Sequence, residues 1–390
     1  MLDLRKVKRF EMPTKVVTGA GSLTELPECL KEEGITHPLI VTDPGIKEAG
    51  LLEKLEEVLK KSDYSYSLYA EVFANPDIEL IDKGRDFFQS EGCDGLVALG
   101  GGSSIDTAKG IGTIVTHGGS ILEYEFGNKP LTERITPLIA VPTTAGTGSE
   151  VTMWAVVTDH NRQIKYNVGG PLIAPHIALI DPELHMSMPA HITAGTGMDA
   201  LAHAVECYTS HYAQPMTDSV ALLAIEYCGE YLRRAVANSA DLEARYYMAQ
   251  AAMLAGLSYG SESAGAVHAM TQSLGGIKPD VPHGAAVGTL LAPVMEYNWL
   301  GYPEKFKRIA IALGEDVWNM TDRDAALVSV QAVKELADDI NIPSLKDLGV
   351  KENEIPKLAI AAEEDPQTVG NPRNVDRSSY EEIYYNAFHQ

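Results

Sequence analysis

The sequence predicts an α/β domain over residues 1–187 followed by an all-helical domain over residues 188–390. In the first half, short apolar runs alternate with segments of helical spacing, which is typical of a parallel sheet with crossover helices. After about Met188 the strand patterns nearly disappear, and helical patterns fill the rest of the chain. A chain of 390 residues is long enough for two domains with substantial cores.

The α/β prediction follows from elements that can be placed in order along the first half. Strands are predicted at 38–43, 64–69, 95–99, 138–141 and 151–158, and helices at 51–59 and 78–88. The run Gly95–Leu99 is continuously apolar, as a parallel strand buried on both faces requires. The segment 51–59 spaces its leucines for one helix face and leaves its charged residues on the other.

The all-helical prediction covers most of the second half. Helices are predicted at 190–208, 216–237, 242–257, 264–274, 325–340 and 379–387. Pro182, Pro189 and Gly195 mark the change between the halves. The tripeptide Pro282-His283-Gly284 is interpreted as a turn that opens a further apolar run.

Composition limits the possible partners and the compartment. The chain has 31 Lys and Arg against 54 Asp and Glu, and the formal charge of −23 argues against nucleic acid or anionic membrane as a partner. The four cysteines form no CxxC pair and are typical of buried thiols in a reducing compartment. The start resembles no signal peptide, and no run approaches the roughly 18–20 apolar residues of a membrane span. We therefore expect a cytoplasmic protein.

Four residues of the second half form a candidate metal-ligand set. Asp199 and His203 are four residues apart on a predicted helix, which places them on one face. His268 stands in another apolar segment, and His283 follows it by 15 residues (283 − 268). Any one of these histidines alone would more often be a hydrogen-bonded core residue. Together, one Asp and three His are typical ligands of a divalent cation.

Two loops of the first half are suited to a nucleotide. The glycine loop, residues 100–109, follows the strand 95–99 and leads into a helix that Ser103 or Ser104 is predicted to cap. A helix N-terminus after such a loop can bind a pyrophosphate. The pattern is not the dinucleotide fingerprint GxGxxG, because Ile105 occupies the third glycine position.

The threonine loop, residues 142–150, follows the strand 138–141 and is rich in small hydroxyl residues. These suit hydrogen bonds to a ribose, a phosphate or a carboxamide, although the segment could equally be a plain Ser/Thr turn. Both loops lie in the first half, whereas the candidate metal ligands lie in the second. We therefore expect the active site in the cleft between the halves, where ligands usually bind.

These motifs, in this order, resemble the iron-containing (group III) alcohol dehydrogenase family from about Phe10 to Ala387. The resemblance is carried by Gly100–Lys109, Thr143–Glu150, Gly197–Glu206, His268 and the Pro282-His283-Gly284 turn. It implies a dehydroquinate synthase-like architecture, with an N-terminal dinucleotide-binding α/β domain and an all-α C-terminal metal-binding domain. It also implies an NAD-dependent alcohol dehydrogenase or aldehyde reductase that transfers hydride between a small alcohol and a nicotinamide.

The resemblance further implies roles for individual residues. The metal shell is Asp199, His203, His268 and His283. The cofactor-binding residues are Asp43, Asn75, Gly100, Gly101, Gly102, Ser103, Asp106, Thr143, Thr144, Thr147, Thr152 and Lys165. The substrate-pocket residues are Trp154, Tyr259 and Gln272. Family members are often homodimers or larger, joined through the strand near Lys15–Val17.

Two pocket residues depart from the common family pattern. Gln272 occupies a position where the family often has a histidine, and Gln cannot take up a proton at neutral pH. Trp154 stands where some members have a smaller polar residue. These departures predict a reshaped substrate pocket and make a proton-transferring role of Gln272 doubtful.

Two alternative functions and two metals stay open. A dehydroquinate synthase-type lyase or a hydroxyacid-oxoacid transhydrogenase should place Lys or Arg near the metal, since anionic substrates prefer such partners. The residues around His203 and His268 are almost all neutral, which disfavours both. The resemblance favours Fe(2+), whereas Zn(2+) would bind such a site at least as well by the affinity order. Asp43 predicts a preference for NAD over NADP.

Overall fold

The computed structural model describes residues 7–260 and 264–389. Its contacts divide the chain into an α/β unit, Glu11–Ser187, and a helical unit, Met188–Gln390, which includes the segment up to Phe10. Sequence analysis assigns that first segment to the α/β domain. In the structure, Gln214 Nε2 donates a hydrogen bond to the Arg9 carbonyl at 2.9 Å. This hydrogen bond attaches the segment to the helical unit.

The α/β unit alternates strands and helices. Its strands are β1 (Lys15–Thr18), β2 (Pro38–Val41), β3 (Ser67–Tyr69), β4 (Gly95–Gly100), β5 (Leu138–Pro142), β6 (Trp154–Asp159), β7 (Ile164–Gly169) and β8 (Ile177–Ile180). Its α-helices are α1 (Leu26–Glu32), α2 (Pro44–Glu48), α3 (Leu51–Lys61), α4 (Ile78–Ser90) and α5 (Gly102–His117). Within the described residues, the main sheet has the order β1-β8-β5-β4-β2-β3.

Every pairing in the main sheet is parallel, and β4 lies at its centre. Alternate residues of β4 enter two separate cores: Leu96 and Ala98 pack on one face, and Val97 and Leu99 on the other. This explains the continuous apolar run, since a strand covered on both faces has no solvent side. The carboxyl ends of β2, β4 and β5 are neighbours, so the loops that follow them come together.

Two predicted strands begin three residues later in the structure than in the sequence predictions. The strand predicted at 151–158 begins only at Trp154, because the N–H of Thr152 donates to the Gly148 carbonyl in a turn at 3.1 Å. The strand β6 then pairs antiparallel with β7, outside the main sheet. The strand predicted at 64–69 is confined to Ser67–Tyr69.

The helical unit begins with α6 and contains no strand within the described residues. Its helices are α6 (Ala190–Thr209), α7 (Pro215–Ala237), α8 (Leu242–Gly260), α9 (Ala266–Ile277), α10 (His283–Asn298), α11 (Pro303–Ala312), α12 (Asp322–Asp339), α13 (Ile355–Glu364) and α14 (Arg377–His389). None of the helices in the described ranges is both long enough and apolar enough to cross a membrane.

The predicted turn at Pro282-His283-Gly284 is wrong, because Pro282 is the N-cap of α10 and His283 its first residue. The start of α10 packs closely against α6. A Cβ at Gly284 would lie 2.5 Å from the Gly195 carbonyl oxygen, so only a glycine fits there. The two backbones therefore touch one turn before Asp199, which brings His283 beside it.

Candidate functional site

The candidate metal ligands converge in the helical unit. Asp199 and His203 lie one turn apart on α6 and are 2% and 5% exposed. His268 lies in the first turn of α9, and His283 begins α10. The ligand atoms of Asp199, His268 and His283 all lie within 4.8 Å of one another, a grouping that could hold a metal ion.

The distances in this cluster fit a shared ion better than direct hydrogen bonds. Asp199 Oδ1 lies 3.5 Å from His268 Nε2 and 3.6 Å from His283 Nε2, longer than a good hydrogen bond. Ligands about 2.0–2.2 Å from an ion lie roughly 3–4 Å from each other. Within the described residues, Asp199 Oδ1, His203 Nδ1 and His268 Nε2 are buried without a hydrogen-bond partner. Because buried polar atoms are normally paired, these atoms fit a bound cation.

His203 lies beside this group of three. Its Nδ1 is 3.8 Å from Asp199 Oδ1, and its ring stacks on that of His268 with centroids 4.2 Å apart. The structure therefore brings Asp199, His268 and His283 together directly, whereas the role of His203 as fourth ligand stays a prediction.

Burial and neighbouring charges determine the protonation of the cluster. Burial lowers the pKa of His203 to about 4, which leaves a neutral imidazole. Burial also opposes the charge of His268, but the nearby carboxylates of Glu206 and Asp199 raise its pKa to about 10. Burial disfavours the charge of Asp199 too, yet the surrounding histidines hold its pKa below the usual value. Metal binding would release protons from such a site.

Sequence analysis missed one residue of this site. Glu206 is buried on α6, and its Oε2 lies 2.5 Å from His268 Nδ1. Asp199, His203 and Glu206 are spaced by four and three residues, which places all three on one helix face. That spacing is visible in the sequence and could have identified Glu206.

The predicted substrate-pocket residues are divided between the two units. Tyr259 lies on α8 with its ring centroid 5.0 Å from that of His203. Gln272 follows His268 by one turn of α9 and is 8% exposed. Trp154 belongs to the α/β unit, where it starts β6 and packs its ring over Gly169.

In the α/β unit, the glycine loop and the threonine loop are in contact. The N–H of Thr143 donates to the Gly100 carbonyl at 3.0 Å. A Cβ at Gly101 would lie 3.2 Å from Thr144 Oγ1, and one at Gly102 would lie 2.9 Å from Thr147 Cγ2. The backbone of one loop thus packs directly on the side chains of the other.

The predicted cap of α5 is wrong. Gly101 is the N-cap, and no side chain caps the helix within the described residues, because Ser103 and Ser104 already lie in its first turn. Asp43 lies nearby as the N-cap of α2, where Oδ1 accepts from the Ile46 N–H at 3.1 Å. The Ser104 hydroxyl donates to Asp43 Oδ2 at 3.4 Å. The uncapped start of α5 suits an anion.

A buried ion pair fixes the chain that follows the threonine loop. The Lys109 ammonium donates to the Ser149 and Thr152 hydroxyls at 3.1 and 3.0 Å and to the Trp154 carbonyl at 2.6 Å. Asp106 accepts from the Ser149 hydroxyl at 2.5 Å and lies 3.8 Å from Lys109. Burial lowers the pKa of Lys109 to about 8 and raises that of Asp106. Asp106 and Thr152, both predicted to bind the cofactor, are therefore bonded to the protein.

Lys165 and Asn75 form a separate contact in the same unit. Lys165 lies on β7, and its ammonium donates to Asn75 Oδ1 at 2.8 Å. Burial lowers the pKa of Lys165 to about 8. Both residues are predicted to bind the cofactor, Asn75 near its adenosine end, and their cofactor role stays a prediction.

Comparison with known proteins adds to this geometry. Residues 13–182 match the model of iron-containing alcohol dehydrogenase, and residues 193–388 match its C-terminal family model. The chain is 54% identical over 388 residues to choline dehydrogenase of Bacillus subtilis, covering 99% of this chain and 96% of that protein. It is 38% identical to the NAD-dependent methanol dehydrogenase of Bacillus methanolicus, covering 97% and 99%.

Solved structures agree with the sequence comparisons. A crystal structure of 1,3-propanediol oxidoreductase superimposes with a TM-score of 0.95 at 38% identity, covering 98% of this chain and 100% of that one. The predicted two-domain fold class is thereby confirmed. The chain belongs to the iron-containing alcohol dehydrogenase family and is a metal-dependent, NAD-dependent alcohol dehydrogenase or aldehyde reductase.

Proposed function

We propose that this protein oxidises a small cationic amino alcohol of the choline type, with NAD as hydride acceptor and a divalent metal held by Asp199, His203, His268 and His283. The observation that carries the metal-dependent part of the proposal is the cluster around Asp199, in which Asp199 Oδ1, His203 Nδ1 and His268 Nε2 are buried without a hydrogen-bond partner among the described residues. Fe(2+) is the first candidate because of the family, and Zn(2+) is the alternative.

The metal would supply Lewis-acid chemistry that acidifies an alcohol, while NAD would supply the hydride acceptor. The residues of this chain determine the charge around the metal and the access of the substrate to it. Asp199 contributes one negative charge, and the neutral His203 ring contacts the rings of Tyr259 and His268. Gln272 can donate a hydrogen bond, but it cannot take a proton from the substrate at neutral pH. Proton release therefore needs another group or solvent.

Charge favours a cationic or neutral substrate over an anionic one. Within the described residues, only histidines lie at ion-pair distance from Asp199 and Glu206. A carboxylate substrate would favour Arg or Lys at this place, which argues against the transhydrogenase alternative. The overall charge of −23 attracts a cation. Tyr259, whose ring centroid lies 5.0 Å from that of His203, is the aromatic side chain that would contact a quaternary ammonium group.

The similarity to a choline dehydrogenase makes choline the first substrate to test. The matched control is the uncharged analogue in which a tert-butyl group replaces trimethylammonium. With Fe(2+)-loaded protein and NAD, we expect kcat/KM for choline to exceed that of the analogue about tenfold, as a cation–π contact of 1–2 kcal/mol gives. Equal kcat/KM values for choline and the analogue would contradict the proposal of a cationic substrate. If no short alcohol gave NADH, the proposed dehydrogenase activity would be rejected.

We also propose a cytoplasmic homodimer. β1 is an edge strand of the main sheet, and edge strands can pair with a strand of a second copy. Light scattering on the purified protein should give about twice the mass of one chain, and a monomer would contradict the proposal.

A further inference from the structure

A buried carboxylate lies next to the candidate metal centre but is not one of the predicted metal ligands. Glu206 lies on α6, seven residues after Asp199, and is 5% exposed. Its Oε2 lies 2.5 Å from His268 Nδ1, and its Oε1 accepts from the Val267 N–H at 2.7 Å. Both contacts act on the first turn of α9, which carries His268.

The contact with Nδ1 determines which nitrogen of His268 is available. An ionised carboxylate can only accept, so Nδ1 must carry the hydrogen. In the neutral ring the lone pair is then on Nε2, the atom that lies 3.5 Å from Asp199 Oδ1. Within the described residues this Nε2 has no hydrogen-bond partner. Histidines that bind metals usually donate their other N–H to such an acceptor, which orients the ring and raises its basicity.

The same carboxylate also stabilises the start of α9. The N-cap residue, Gly265, has no side chain to cap the helix. Glu206 accepts from Val267 instead, and Asn371 Oδ1 accepts from the Ala266 N–H at 3.3 Å. A negative charge near a helix N-terminus is favourable. A role in helix capping alone must therefore be distinguished from a role toward His268, and Asn371 provides the comparison.

We propose that Glu206 is a positioning residue that holds His268 with Nδ1 protonated and Nε2 directed at the metal. This inference rests on the proposed function, since it requires a metal at the cluster around Asp199. It assigns Glu206 no contact with the substrate, because both of its oxygens are bonded to α9.

The test measures cobalt(II) affinity of metal-free protein by competition with a chromogenic chelator, without alcohol or NAD. Glu206→Gln is close in shape but offers one acceptor where the carboxylate offers two. We expect its cobalt affinity to fall about 10–100-fold, with a shifted visible spectrum of the bound cobalt. Asn371→Ala removes the other α9 cap, and we expect its affinity to stay within about threefold of wild type. Far-UV circular dichroism checks folding in both.

A second measurement needs no variant. In zinc-loaded wild-type protein labelled with nitrogen-15 histidine, NMR should show His268 protonated on Nδ1. A zinc-bound Nδ1 would overturn the proposal, as would wild-type cobalt affinity and spectrum in Glu206→Gln or an equal loss in Asn371→Ala. Failure of the wild-type protein itself to bind cobalt would instead reject the proposed function, so the two failures are distinguishable.

Discussion

The candidate metal centre and the two loops of the α/β unit are constructed in opposite ways. In the helical unit, side chains of α6, α9 and α10 converge, and within the described residues Asp199 Oδ1, His203 Nδ1 and His268 Nε2 are buried without a hydrogen-bond partner. In the α/β unit, the charged side chains of Asp106 and Lys109 are hydrogen-bonded to protein groups. The two loops present backbone and hydroxyl groups to a ligand instead. The candidate metal centre therefore has buried polar atoms that could bind an ion. The α/β unit instead uses its charged side chains to hold its own chain in place.

The difference predicts how each region responds to substitution. Removing a predicted metal ligand that is partly exposed, such as His283, should abolish the chemistry while the fold persists. Removing Lys109 leaves the carboxylate of Asp106 buried without its cation, so stability should fall together with function.

The largest effect is expected for His283→Ala. The side chain of His283 is 32% exposed, so its loss creates little cavity. Because metal activation of an alcohol contributes several kcal/mol, we expect turnover to fall roughly 1000-fold with loss of bound metal and little change in circular dichroism. His191→Ala, an exposed position on α6, is the control and should keep metal and activity. Full metal occupancy and normal turnover in His283→Ala would reject the ligand assignment.

Lys109→Met should act on the fold instead. We expect the free energy of unfolding in urea to fall by about 3–5 kcal/mol, as is typical when one partner of a buried pair is removed. Metal content should be unchanged, since the substitution lies in the other unit. Lys129→Met removes an exposed ion pair of the same unit and should have little effect. A Lys109→Met protein as stable as wild type would break the contrast between the regions.

Asp43 tests whether a helix cap also selects the cofactor. Two like charges about 4 Å apart repel by roughly 4 kcal/mol at an effective dielectric near 20. Solvent should reduce this to about 2–3 kcal/mol against the extra phosphate of NADP, so we expect at least a tenfold preference for NAD in kcat/KM. Asp43→Asn can still accept from the Ile46 N–H and should erase most of the preference. Equal use of NADP by the wild-type enzyme would show that Asp43 only caps α2.

Lys165 gives a smaller, pH-dependent effect. Because burial lowers its pKa to about 8, its ammonium is present below that pH and lost above it. If the charge contacts the dianionic cofactor, the Kd for NADH should rise about tenfold from pH 7 to pH 9. Lys165→Arg stays charged throughout and should flatten this dependence. Fluorescence titration measures the Kd, and a flat wild-type profile would exclude Lys165 from cofactor binding.

How much the sequence predicts also differs between the regions. The spacing of Asp199 and His203 gives their helix face directly, because helical periodicity is local. It does not show that α6 and α10 touch at Gly195 and Gly284, which is what brings His283 beside Asp199. Helix packing of this kind depends on contacts far apart in the chain.

In the α/β unit, β2 to β6 were predictable because apolar runs are local, whereas β7 and β8 were not predicted. The hydrogen bonds of the Lys109 ammonium were not predictable, because its partners Ser149, Thr152 and Trp154 lie 40 to 45 residues away in the sequence. The same contacts hold Thr152 in a turn and delay the start of β6, which is why the strand predicted at 151–158 begins late. β-strand propensity alone cannot predict where tertiary contacts such as these override it.

The most direct test of the account is a metal titration of chelator-treated wild-type protein. Treated protein with NAD and a short alcohol should form no NADH. Activity should then return in proportion to added Fe(2+) and level off at about one equivalent per chain, as one site around Asp199 requires. Full activity in protein shown by elemental analysis to lack metal would contradict the central claim.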